Sequence, residues 1–123
     1  MTLKAVGQIA LPVSDADRSL SFYRDLLGLP LLFRFGDLIF LDCFGVRLML
    51  EGVGKDVRPG TGICHYIKSD AIDADFEALA ALGIEFEDRP HIIARLPDHE
   101  LWMVFFRDPD GHLWGLMEER RLL

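Results

Sequence analysis

The sequence predicts an α+β fold in which two βαβββ modules form a cupped mixed sheet. The order of one strand, one helix and three strands occurs twice, and tight turns separate the short apolar runs. The two copies superimpose at an offset of 55 residues, which sets Val13–Asp15 on Lys68–Asp70. A repeated supersecondary unit cannot bury both faces of its own sheet, so the copies must pack together. We therefore expect one domain over residues 1–123, built from repeats at about 1–53 and 61–121.

The first module begins with a strand over Gly7–Val13, where apolar residues alternate with other residues. Ser14 and Asp15 are natural N-caps, and apolar residues at steps of three and four predict a helix that ends at Gly28. Three short strands complete the module: Leu31–Phe35, Leu38–Cys43 and Val46–Glu51. The turns between these strands are tight, which predicts a meander.

The second module follows a Gly-rich connection over Gly52–Gly62. Its helix is expected to start after Ser69-Asp70 and to end at Gly83, in register with Gly28 of the first module. Its predicted strands are Ile63–Lys68, Ile84–Leu96, Leu101–Arg107 and Leu113–Glu118. Pro97-Asp98 and the Asp-Pro-Asp-Gly sequence ending at Gly111 form the turns between the last three strands.

Composition excludes several classes of function. Half of the residues are apolar and 27% are charged, so the chain can bury a core. The net charge of -7 repels phosphate backbones, and we expect no nucleic-acid partner. No apolar run approaches the roughly 20 residues of a membrane span, and Met1–Ala10 lacks a signal-peptide core. We expect a cytoplasmic protein without a membrane segment, in which Cys43 and Cys64 are free thiols.

Three motifs occur in a fixed order: Ile9–Asp15, Ser21–Gly28 and Phe106–Gly111. Together they resemble the vicinal oxygen chelate superfamily, which includes glyoxalase I, bleomycin and fosfomycin resistance proteins and extradiol dioxygenases. The resemblance implies a glyoxalase/bleomycin resistance-like fold and a homodimer. It also implies a cavity in which one divalent metal, Zn, Ni, Mn or Fe, binds two neighbouring substrate oxygens and stabilises an enolate or oxyanion.

The ligands in that family come from the first and last strands of each module. The resemblance places the first ligand at Gln8 and the second at Glu51, which would also be the catalytic carboxylate. In the fifth strand it points to His65, with Cys64 as the alternative on the opposite face. The fourth position is Gly115, which has no side chain to coordinate a metal.

Other candidate residues follow from strand parity. Arg47 and Met49 alternate onto the face of Glu51, where Arg47 could hold an anionic or carbonyl oxygen or could pair only with Glu51. Glu118 comes three residues after Gly115, so parity turns it to the other face unless a bulge intervenes. The substrate-binding candidates on these strands are therefore Arg47 and Met49.

The second module adds aromatic and titratable candidates. Tyr66 and Trp102 would favour a flat or apolar ligand if their rings face the cavity. His91 could act as an acid, a base or an anchor if its face matches that of Arg95. His112 follows the Asp-Gly turn, and we expect it to be exposed.

Two classes of function remain open from the sequence. One is a lyase, isomerase or dioxygenase that uses a divalent metal on a vicinal-oxygen substrate, with water or another residue in place of the missing carboxylate. The other is a metal-free protein that binds and sequesters a drug-like or aromatic small molecule.

Overall fold

The computed structural model describes residues 1–122, and these form two compact units. The first unit is Met1–Arg58 and the second begins at Pro59, so the division lies inside the predicted connection. Each unit contains a helical segment and a four-stranded sheet in the order βαβββ. The predicted fold class, α+β with two βαβββ modules, is confirmed.

The first sheet has the strand order β1-β4-β3-β2, in which β1 runs parallel to β4 and the other pairs are antiparallel. Its strands are β1 Gln8–Val13, β2 Leu31–Phe35, β3 Leu38–Cys43 and β4 Val46–Gly52. These bounds agree with the predicted strands to within one residue. The apolar alternation and the tight turns were therefore sufficient to locate every strand of this unit.

The helix of the first unit, α1, covers Ala16–Leu20 and continues as a π-helical segment over Ser21–Leu26. Asp15 is its N-cap, and the Asp15 carboxylate accepts a hydrogen bond of 3.1 Å from the backbone N–H of Arg18. Gly28 has a φ of 77°, which favours glycine and ends the helical segment where the sequence predicted. Within residues 1–122, no helix is long and apolar enough to cross a membrane.

The helix packs against one face of the first sheet, and this face holds the core of the unit. The fully buried strand residues on it are Val13, Ile39, Leu41, Leu48 and Leu50. Residues that alternate with these lie on the other face, which we call the first open face. It carries Gln8, Phe33, Phe40, Arg47, Met49 and Glu51.

The second sheet has the order β5-β8-β7-β6, with β5 parallel to β8. Its strands are β5 His65–Lys68, β6 His91–Arg95, β7 His99–Arg107 and β8 Leu113–Arg121, and its helix α2 covers Ile72–Ala81. The run predicted as one strand over Ile84–Leu96 forms only β6, because Pro90 cannot donate to a ladder. Before it, Phe86 makes one isolated bridge to Phe106.

The core of the second unit lies between α2 and its sheet. Its buried strand residues include Val104, Phe106, Trp114, Leu116 and Glu118. The opposite face, which we call the second open face, carries Tyr66, Met103, Phe105, Gly115 and Met117.

The N-terminus of α2 is capped by the last strand. The helix starts after Ser69-Asp70, as expected, and its N-cap residue is Ala71, which offers no side-chain acceptor. Glu118 on β8 accepts a hydrogen bond of 2.8 Å from the backbone N–H of Ile72 instead. Burial raises the pKa of Glu118, but hydrogen bonds from Arg120 and Ile72 outweigh it, so the pKa lies below its usual value. Glu118 therefore supplies the cap as a carboxylate.

Two histidines belong to the core side of the second unit. The His65 ring lies 5.2 Å from the Trp114 ring, centre to centre. His112 is buried, which corrects the expectation that it would be exposed. The reason is that the Asp108 carboxylate accepts the backbone N–H of His112 at 2.8 Å and turns the chain inward. Burial and the nearby His112 lower the pKa of His65.

Replacing Glu118 should destabilise the second unit. We expect Glu118→Ala to lower the free energy of unfolding by about 1–3 kcal/mol, because the α2 cap and the Arg120 contact are both lost. Glu118→Gln should cost less, since its amide oxygen can still accept the Ile72 N–H. Urea denaturation at pH 7 measures both. Glu119→Ala, at an exposed neighbouring position, is the control and should stay within about 0.5 kcal/mol of the wild type; equal losses at both positions would contradict the assignment.

The stability should fall as the pH drops below about 6.5, the usual pKa of histidine. The pKa of His65 is lower in the folded protein, so the unfolded chain takes up a proton first and is favoured at acidic pH. His65→Gln should therefore show a smaller fall in the free energy of unfolding between pH 7 and pH 5. Urea denaturation across this range measures the difference, and equal slopes for variant and wild type would rule out His65 as a source.

Candidate functional site

The first open face brings together three of the predicted site residues. Gln8 on β1 and Arg47 on β4 are direct neighbours in the parallel pair. Arg47 Nε donates a hydrogen bond of 2.8 Å to Gln8 Oε1, and Gln8 Nε2 lies 3.7 Å from Met49 Sδ. Of the two alternatives for Arg47, pairing with Glu51 is therefore not the arrangement seen among the described residues.

Glu51 lies at the other end of the same strand. Its neighbours in the sheet are Pro12 and Leu38, whereas Gln8 is level with Arg47. Four residues along a strand span about 13 Å, and a metal such as zinc lies only about 2 Å from each ligand atom. Gln8 and Glu51 are therefore too far apart to share one ion.

Aromatic rings lie beside Arg47 on this face. The guanidinium carbon of Arg47 is 5.3 Å from the centre of the Phe40 ring, and Phe40 stacks on Phe33 with ring centres 4.4 Å apart. Phe33 contacts Phe35 edge to face. The sequence had not assigned Phe33 or Phe40 to the site, because a register shift in β2 decides which residue faces Phe40.

The second open face is centred on Gly115. Tyr66, Gly115 and Phe105 form one row across three strands, and the two rings contact each other edge to face at 6.0 Å. A Cβ atom at position 115 would lie 2.9 Å from Tyr66 Cδ1 and 3.2 Å from Phe105 Cε1. The two rings thus occupy the space that a side chain at this position would need.

The pairing of β5 with β8 shows on which face of the second sheet His65 and Cys64 lie. His65 is level with Trp114 and lies on the core side of the sheet, opposite to Gly115. Cys64 interacts with Tyr66 and lies toward the second open face. Burial raises the pKa of the Cys64 thiol above its usual value, which disfavours the thiolate that binds metals.

His91 lies on the second open face, level with Met103. A register shift between Ile92 and Ala94 turns Arg95 to the other face, where it donates to Glu100 at 2.7 Å. The predicted role of His91 as an acid, a base or an anchor depended on a face shared with Arg95, and this condition is not met. His91 Nδ1 lies 2.8 Å from the backbone oxygen of Arg89.

Trp102 lies on the core side of the second sheet rather than beside Tyr66. It is level with Glu118, and the Arg120 guanidinium covers its ring at 4.4 Å. Its indole N–H donates to Glu100 at 3.2 Å. Glu118 also lies on the core side, as predicted from its position three residues after Gly115 in the strand.

The residues present do not fit the divalent metal that the family resemblance implies. Gly115 offers no donor atom, Gln8 and Glu51 are far apart, and His65 packs on Trp114. The Gln8 oxygen already accepts from a cationic guanidinium, which disfavours a second cation at that atom. Within residues 1–122, no three side chains of His, Cys, Asp or Glu cluster closely enough to hold an ion.

A polar groove of about 290 Å³ lies at the start of α1. It is lined by Ser14, Asp15, Ala16, Asp17, Asp37, Gly52 and Gly54. Asp15 caps the helix and Asp17 pairs with Arg34 at 2.6 Å. Two of its three carboxylates, those of Asp15 and Asp17, thus have structural partners, and the candidate sites remain the two open faces.

Proteins of known sequence and structure resemble this chain along most of its length. The metallothiol transferase FosB of Lysinibacillus sphaericus is 27% identical, over 98% of this chain and 89% of its own. The glutathione transferase FosA of Serratia marcescens is 29% identical, over 89% of this chain and 77% of its own.

Solved structures agree with this relationship. A lactoylglutathione lyase from Agrobacterium tumefaciens superimposes with a TM-score of 0.71 at 28% identity, covering 94% of each chain. A glyoxalase/bleomycin resistance protein/dioxygenase from Alicyclobacillus acidocaldarius gives a TM-score of 0.76 at 25% identity, over 97% of this chain and 95% of its own. The model of the Glyoxalase/Bleomycin resistance protein/Dioxygenase superfamily matches residues 5–116, and the chain therefore belongs to that superfamily, as its three motifs predicted.

Proposed function

We propose that this protein binds and sequesters a small, flat, apolar or aromatic molecule on its second open face, without a divalent metal. The observation that carries this proposal is the row Tyr66, Gly115 and Phe105, where two rings cover the position at which the family carries a carboxylate. It corresponds to the second of the two functions that the sequence left open.

The chemistry of the face supports an apolar ligand. The Tyr66 side chain is partly exposed, and the half-buried Met103 and Met117 lie one row further along the sheet. Aromatic and thioether groups adapt to flat ligands. Covering roughly 300 Å² of apolar surface favours binding by about 7 kcal/mol, and an association cost of at least about 4 kcal/mol leaves an affinity in the millimolar range.

A metal-dependent transferase, lyase or dioxygenase is the second candidate. It is favoured by the curated relatives FosB and FosA, which are named as a metallothiol transferase and a glutathione transferase. It would require a set of donors other than Gln8, Glu51 and His65 as they are arranged here. The homodimer and the cytoplasmic location also stay predictions.

Binding of 2-naphthol, a neutral aromatic probe, tests the proposed function. We expect the Kd, measured by fluorescence titration, to change less than twofold when EDTA, Zn, Ni, Mn or Fe(II) is present. Tyr66→Leu should weaken binding at least fivefold, because the ring forms the edge of the face. The matched control is Phe44→Leu, which removes an exposed ring from the turn before β4 and should leave the Kd unchanged.

The same titrations separate the two candidate functions. Loss of binding in EDTA, together with a raised melting temperature at one equivalent of metal, would replace the proposal with a metal-dependent site. Absence of any 2-naphthol binding, with or without metal, would also overturn it.

A side chain at position 115 should disturb the second open face. We expect Gly115→Ala to lower the free energy of unfolding by about 1–3 kcal/mol, because its Cβ would contact Tyr66 at 2.9 Å. Gly7→Ala, where a Cβ meets nothing within 4 Å, is the control. In a double-mutant cycle by urea denaturation, Tyr66→Ala should reduce the cost of Gly115→Ala. Additive costs would show that the ring does not fill this space.

A further inference from the structure

Arg47 is held on the first open face by two neutral side chains. Its Nε donates to Gln8 Oε1 at 2.8 Å, and its guanidinium lies over the Phe40 ring at 5.3 Å. Gln8 is itself placed by its contact of 3.7 Å with Met49 Sδ. The Gln8 amide binds the Nε edge of the guanidinium, and the Phe40 ring packs against its flat side. These two contacts fix the direction of the two terminal nitrogens.

The contacts of Arg47 are neutral, whereas half of the ten arginines in residues 1–122 form ion pairs with carboxylates. Arginines that form ion pairs with carboxylates are Arg24, Arg34, Arg95, Arg107 and Arg120. Among residues 1–122, the Nε bond to Gln8 is the hydrogen bond that Arg47 forms, and its terminal N–H groups are left for a ligand. A guanidinium with its terminal nitrogens available binds the two oxygens of a carboxylate side by side.

Two carboxylates share the first open face with Arg47, and neither forms an ion pair with it among the described residues. Asp42 is level with Arg47 on β3, but its Oδ1 accepts the backbone N–H of Gly45 at 3.0 Å, and no ion pair joins it to Arg47 among the described residues. Glu51 is on the same face but about 13 Å away along the strand. Among the described residues, Arg47 thus forms no ion pair with a carboxylate.

An exposed aromatic surface lies next to this cation. Phe33 stacks on Phe40, and its side chain is 41% exposed. Phe35 continues the surface edge to face with Phe33 and is 70% exposed. A ligand whose anionic group reaches Arg47 can thus lay an aromatic ring over Phe33.

We propose that the first open face is a binding site for small aromatic carboxylic acids. The two carboxylate oxygens accept hydrogen bonds from the terminal N–H groups of Arg47, and the aromatic ring of the ligand packs on Phe33. Gln8 is a positioning residue, because its oxygen orients the guanidinium without contacting the ligand. The site uses residues of the first unit alone and does not rest on the function proposed for Tyr66.

The test compares 2-naphthoate with 2-naphthamide, which has the same ring system but no charge. Calorimetric titration of the whole protein at pH 7 should show that the acid binds at least tenfold more tightly than the amide. The NMR signal of the Arg47 Nε–H should shift with the acid. Acetate, which lacks the ring, should bind at least tenfold more weakly than 2-naphthoate.

Variants assign the preference to Arg47. Arg47→Met should abolish the preference for the acid, and Arg47→Lys should reduce it at least threefold because an ammonium cannot bind both oxygens side by side. Gln8→Leu should weaken binding of the acid three- to tenfold and leave the amide unchanged. Arg58→Met, which removes an exposed arginine of the same unit, is the matched control and should change neither affinity.

Several results would overturn this site. Equal affinities for acid and amide, or a preference that survives Arg47→Met, would show that Arg47 does not bind the carboxylate. Acetate that binds as tightly as 2-naphthoate would show that the aromatic ring of the ligand does not contribute to binding. Tyr66→Leu should leave the shift of the Arg47 Nε–H signal with 2-naphthoate unchanged, so a failure at the first open face is distinguishable from a failure of 2-naphthol binding at the second.

Discussion

The two-residue alternation of side chains along β4 and β8 is the constraint on which both units depend. Each of these strands lies in the interior of its sheet, where one face is buried under a helix and the other is not. Leu48 and Leu50 therefore lie in the core, and Arg47 and Met49 lie on the first open face. In β8 the same rule buries Trp114 and leaves Gly115 beneath the rings of its neighbours. A shift of one residue in either strand would turn its core side chains to the open face and its open-face side chains into the core.

This alternation explains why the fold could be predicted from the sequence. The strand bounds of the first unit follow from the alternation of apolar residues and from the glycine-containing turns between the strands. The helix cap at Asp15 was also predicted, because the Asp15 carboxylate and the backbone N–H that donates to it are only three residues apart. Local signals of this kind are present in the sequence itself. The prediction worked where the interaction that decides the structure is short-range.

The candidate site was less predictable because long-range pairing decides it. The cap of α2 comes from Glu118, 46 residues away from Ile72, and no local pattern announces it. The register shift of β6 on β7 separates His91 from Arg95. Motif counting placed Gln8 and Glu51 in one set, but the register of β1 on β4 sets them at opposite ends. Membership in a superfamily fixes the scaffold, whereas the chemistry depends on the side chains placed on it.

The cap supplied by Glu118 also bears on the order in which the chain folds as it is synthesised. The first unit has all four of its strands once Gly52 has been made. The second unit cannot cap α2 or form the parallel pair of β5 with β8 until Leu113–Arg121 has left the ribosome. Domains generally fold as units during synthesis, the N-terminal one first. The nascent protein therefore carries an incomplete second unit, with α2 made but uncapped, for as long as translation of the last strand takes.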